Sequence, residues 1–115
     1  MGARPFYTTA FGKTIDEAFE KAVDDAEYHH GKAGYTGTIA EKNNYTKIPD
    51  SEHKGRDKRK YARTLVDEDD ERISSKRGPA GAISLKGTKE AKRHRQGDLK
   101  GKHGTLWLFF GWAST

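Results

Sequence analysis

The chain has 115 residues, 32% of them hydrophobic and 34% charged, with 22 Lys+Arg against 17 Asp+Glu and no Cys. That length fits one domain with a small core and much solvated surface. A disulfide framework and Cys-based zinc sites are excluded, and the longest apolar run, Leu106–Phe110, falls far short of the roughly 20 residues of a transmembrane helix. No apolar h-region follows Met1-Gly2-Ala3-Arg4-Pro5, so a Sec-type signal is not expected and the cytoplasm is the expected compartment.

Phe6–Phe11 reads as a first strand, aromatic and Thr-rich, with Pro5 at its edge. After the Gly12-Lys13 turn, Thr14 opens a helix of about 16 residues. Ile15, Ala18, Phe19, Ala22, Val23 and Ala26 share one face of it. Thr14 and Glu17 form a capping box at its start, and Gly31 and Gly34 stop it. Tyr35–Lys42 and Tyr45–Ile48 are expected as strands joined by an Asn43-Asn44 hairpin turn. Arg56–Asp69 is a second helix, with Tyr61, Ala62, Leu65 and Val66 on one stripe; its basic start and acidic end oppose the helix dipole. Gly78-Pro79-Ala80-Gly81 is a turn, Ala82–Lys86 a short strand, Lys86–Gly104 a basic mobile loop, and Thr105–Trp112 the last strand. The order β-α-β-β-α-β-β predicts a single α+β domain over 1–115, with a mostly antiparallel sheet and both helices on one face.

The last strand is apolar on both sides. Leu106, Leu108, Phe110 and Trp112 point one way, Trp107 and Phe109 the other. With both helices on one face, the Trp107 and Phe109 side needs another cover: a loop, a second subunit or stacked nucleic-acid bases.

Charge is uneven along the chain. Residues 1–50 carry a net −2 and residues 51–115 a net +7. Within the second part, Lys86, Lys89, Lys92, Arg93, Arg95, Lys100 and Lys102 face only Glu90 and Asp98. Such a stretch suits phosphate, and with Trp107 and Phe109 stacking on bases it defines a candidate nucleic-acid interface. The acidic run Asp67–Glu71 offers a different partner surface. The alternative function is therefore a protein-interaction module. The chain is a monomer or a homodimer.

Catalytic chemistry is thin. Gly12-Lys13-Thr14 lies between a strand and a helix, but Tyr7 stands where a Walker A motif needs its first Gly. His29, His30, His53, His94 and His103 include no i, i+4 pair of the kind that holds zinc on a helix. No nucleophile elbow is present. The expectation is a non-enzymatic protein with no cofactor and no metal.

Three segments, Tyr35-Thr36-Gly37-Thr38-Ile39-Ala40-Glu41-Lys42, Gly78-Pro79-Ala80-Gly81-Ala82-Ile83 and Phe109-Phe110-Gly111-Trp112-Ala113-Ser114-Thr115, together resemble a family of small bacteriophage and prophage proteins of no established activity. The chain departs from that pattern at Arg77, where the family often has Trp, and in the length of its basic segment. The resemblance implies a small phage-type accessory protein acting in the cytoplasm of a bacterial host and, on the alternative reading, an interaction module that inhibits or redirects a host protein. It brings no catalytic or binding residue with it.

Overall fold

The computed structural model describes residues 2–31, 34–96 and 104–115. In chain order these form β1 (Ala3–Gly12), α1 (Ile15–His30), β2 (Tyr45–Lys47), α2 (Lys58–Asp67), β3 (Ala80–Ser84), α3 (Lys89–Gln96) and β4 (Thr105–Ser114), with short 3-10 turns at Ile39–Glu41 and Asp50–Glu52. The class is α+β, as the sequence implies. The sheet has four strands in the order β1-β4-β3-β2. β4 pairs antiparallel with both β1 and β3, whereas β2 runs parallel to β3.

The start of α1 follows from local chemistry. Thr14 Oγ1 accepts the Glu17 N–H at 3.1 Å, and the Glu17 carboxylate accepts the Lys13 N–H at 3.0 Å. Together they satisfy backbone donors that the helix itself cannot. Gly31, at φ +85°, ends the helix and donates its N–H to Glu27 O at 2.7 Å.

The expected hairpin does not form. Glu41 accepts from the Tyr35 N–H (2.9 Å), the Thr36 N–H (3.2 Å) and the Thr36 hydroxyl (2.8 Å), which folds residues 35–41 into a compact loop instead of a strand. Thr38 caps the 3-10 turn that follows. The Lys42 ammonium is buried and donates to Ser75 O, Lys76 O and Gly78 O at 3.3, 3.3 and 2.9 Å, tying this loop to the Gly78-Pro79 turn. Asn44 serves the ladder rather than a turn, since its carbonyl accepts the Ala80 N–H. β3 therefore begins two residues earlier than the sequence suggests.

The helices do not share one face. α1 covers Phe6, Ala80, Ala82, Trp107, Phe109 and Ala113, while α2 covers Ile83, Leu85, Leu106, Leu108 and Phe110 on the other side. The cause is topological. β1, β2 and β3 all run in the same direction. The crossover through α1 goes from one edge of the sheet to the other, and the crossover through α2 steps back. Two right-handed crossovers in opposite directions put their helices on opposite faces.

The short α3 joins α2 on its face through Ala91. Residues 89–96 are thus helical, not loop. Thr88 starts the helix: its Oγ1 accepts the Ala91 N–H at 3.2 Å and donates to Leu85 O at 2.6 Å. The remainder of the expected loop, 97–103, lies outside the described residues.

Candidate nucleic-acid interface

Lys86 stands at the corner after β3, where its N–H donates to Ser84 Oγ at 3.2 Å. Lys89, Lys92 and Arg93 follow on α3, and all four cations are exposed. Arg95 belongs to α3, but its side chain is not among those described; Lys100 and Lys102 lie outside the described residues.

Trp107 and Phe109 are elsewhere. Phe109 is fully buried, 5.5 Å edge-on to Phe19 of α1, and Trp107 is 8% exposed with Lys47 Nζ 5.6 Å from its ring. Both lie on the α1 face, across the sheet from α3. They are core residues, so stacking on a base is closed to them. The cover that this face required is α1 itself.

The structure instead brings a second basic segment to α3. Lys54, Arg56, Lys58, Arg59, Lys60 and Arg63 occupy the approach to α2 and its first turns, with Asp57 as the only acidic residue among them. The Arg59 guanidinium grips Glu90 of α3 through two bonds of 3.0 and 2.6 Å. This pair locks the start of α2 beside the start of α3. A groove of about 270 Å³ runs between them, lined by Arg56, Lys58 and Lys89 together with Asp57 and the paired Arg59 and Glu90. Lys58 also lines an adjoining hollow of about 470 Å³ together with Lys54 and Lys86. Residues 54–63 and 86–93 thereby form one cationic surface. The charge count of 54–63 was the available signal, but its placement on a helix concealed it as ordinary helix surface.

The electrostatics of α2 are inverted. Lys58, Arg59 and Lys60 crowd its N-terminal turn, where the backbone already presents partial positive charge. Asp57 compensates in part, accepting the Lys60 N–H at 3.0 Å. Beneath this end lies His53, fully buried. Its Nδ1 is 2.9 Å from Lys58 Nζ. An ammonium can only donate, so Nδ1 is the acceptor and the proton sits on Nε2, which is 3.6 Å from an Asp50 carboxylate oxygen. Burial, reinforced by the Lys58 charge, holds the His53 pKa below its ordinary value and keeps the ring neutral.

The acidic run is divided. Asp70 is engaged by Arg72 at 2.9 Å, and Arg72 in turn holds Glu52 through bonds of 2.8 and 2.7 Å. Tyr61 OH donates to the same Glu52. These contacts push the Glu52 carboxyl down to about 2. Asp67, Glu68, Asp69 and Glu71 are exposed at the far end of α2. Gly12-Lys13-Thr14 is consumed by the cap of α1.

Comparison of the chain with known protein families, with curated proteins and with solved structures gives no match.

Proposed function

We propose that this protein binds nucleic acid without catalysing a reaction, as a small accessory protein of the phage type acting in the cytoplasm of a bacterial host. The observation that carries this reading is the meeting of two basic segments, 54–63 and 86–93, on the surface shared by α2 and α3. Charges collected there from distant parts of the chain repel one another, and a polyanion relieves that repulsion. The contacts are to phosphate. Trp107 and Phe109 are enclosed and Tyr61 and Tyr7 are covered by Arg56 and Arg63 at 5.4 and 6.0 Å, which leaves the half-buried Phe11, in a hollow with Lys86 and Lys92, and the half-buried Trp112 as small aromatic surface on this face. Binding is then governed by backbone charge, with little dependence on base sequence.

Fluorescence-anisotropy titration at two salt concentrations tests this. Each phosphate contact contributes about 0.7–0.9 to the log–log salt slope. The triple variant Lys60→Gln, Lys89→Gln, Lys92→Gln is expected to lower that slope by roughly 2, and Trp107→Phe to leave it unchanged. An equal slope in the triple variant, or no binding in about 50 mM salt, overturns the proposal.

The second reading, a protein-interaction module, rests on the exposed Asp67, Glu68, Asp69 and Glu71. It requires a protein partner that is retained after nuclease treatment and lost when these four are changed to Asn and Gln.

A further inference from the structure

β1 is an edge strand: β4 takes one side of it, and among the described residues nothing pairs with the other. Backbone bonds at the far end of the β1–β4 pair fix which groups lie on the open side. Thr115 donates to Gly2 O at 3.1 Å, so this is a bonded pair. Ser114, opposite Ala3, turns its carbonyl away from β1 to accept the Gly37 N–H at 2.8 Å. The register continues without a bulge to Gly12 opposite Thr105. Bonding residues alternate along an antiparallel pair, so the even-numbered residues of β1 bond β4. Ala3, Pro5, Tyr7, Thr9 and Phe11 present their backbone groups outward.

Natural edges are guarded by charges, prolines or bulges. Here Pro5 removes one outward N–H near the end of the strand, and Phe6–Gly12 contains no charged residue.

We propose that a second copy of this chain pairs antiparallel along this edge, centred on Thr9, and joins two four-stranded sheets into one. The sequence is self-complementary in that register. Thr9 meets Thr9 of the second copy, Tyr7 meets Phe11, and Thr8 meets Ala10. The outward residues of these pairs, Tyr7, Thr9 and Phe11, all keep their N–H, so each pair exchanges both of its hydrogen bonds. Tyr7 and Phe11 lie on the same face, against the α2-side core, and an aromatic pair suits cross-strand packing. No like charges meet along the seam: the register sets Lys13 of the second copy opposite Pro5, and no charged residue lies between positions 5 and 13 on either strand.

The test is the solution mass of nuclease-treated, full-length protein by light scattering, together with amide hydrogen exchange. A mass of twice 12.9 kDa is expected, falling to the single-chain value on dilution. Thr9→Lys places like charges directly opposite across the axis and is expected to give the single-chain mass with an unchanged circular dichroism spectrum. The exchange measurement needs no variant: the Tyr7, Thr9 and Phe11 amides are expected to gain protection as protein concentration rises, while the Thr8 and Ala10 amides stay protected throughout. A single-chain mass at every concentration overturns the proposal. So does a dimer that a folded Thr9→Lys variant keeps, or protection of Thr9 that is independent of concentration.

Discussion

One buried ammonium holds together backbone that has no sheet or helix to rely on. Lys42 is 3% exposed, and burial pushes its ammonium down to about 8, so it remains protonated at neutral pH. Lys42→Met leaves the carbonyls of Ser75, Lys76 and Gly78 without their donor and is expected to cost about 1–3 kcal/mol in urea denaturation. His53 carries a pH dependence. Its folded pKa is lowered from 6.5 by burial and by Lys58, against the opposing charges of Asp50 and Glu52; Tyr61, the other titratable neighbour, stacks obliquely 5.9 Å away. Below 6.5 the unfolded chain takes up the proton that the folded ring refuses. Stability is therefore full above 6.5 and declines as pH falls toward the folded value. Thermal midpoints measured against pH are expected to show this decline in the native protein and a flatter profile in His53→Gln. Neither role was legible in the sequence. A Lys beside Asn-Asn and a His in a polar linker look solvated; a turn some thirty residues further along the chain takes Lys42 out of water, and the start of α2 packs against His53.

At the scale of elements, legibility followed the range of the interactions. α1 was readable because its signals are local: a cap, a stop and an apolar face within one run. β4 was readable because a continuous run of apolar and aromatic residues, too short for a membrane helix, fills most of the strand. α3 was not, since Ala91 is its only apolar residue and the docking of Thr88 onto Leu85 decides its start. The strand expected at 35–42 failed because Glu41 competes for the same backbone donors. Likewise, the basic surface was half visible as 86–93, while its partner 54–63 was masked by the helical pattern of α2. The inverted charge of α2 has a consequence that can be measured. Lys60→Glu places an anion in the first turn and is expected to stabilise the protein by about 0.3–1 kcal/mol while weakening polyanion binding. A change that improves the fold and impairs binding separates a functional cation from a structural one.

For the whole molecule, the central fact is that one strand serves two cores. Trp107 reports on the α1 side and Trp112 on the α2 side, and the chain has no other Trp. Trp112→Phe and Trp107→Phe therefore give single-probe proteins, one for each face. Because β4 is common to both, their fluorescence transitions in urea are expected to coincide. Leu108→Ala, on the α2 side, is expected to shift both by about 2–5 kcal/mol. Separate midpoints would mean that the two faces unfold independently. The helix placement on which this rests follows from crossover handedness and strand order together. The second of these was invisible in a linear reading, which is why the helices were expected on one face.

The position of β4 also governs how the chain comes into being. It is the last of these elements to be synthesised, yet it lies between β1, the first, and β3. Until it emerges from the ribosome, α1 has no Trp107 or Phe109 to cover, and the inner side of β1 is as bare as the outer. The nascent chain must hold open a slot for a strand made about a hundred residues after its neighbour. Closing so long a loop delays folding and prolongs the exposure of both edges.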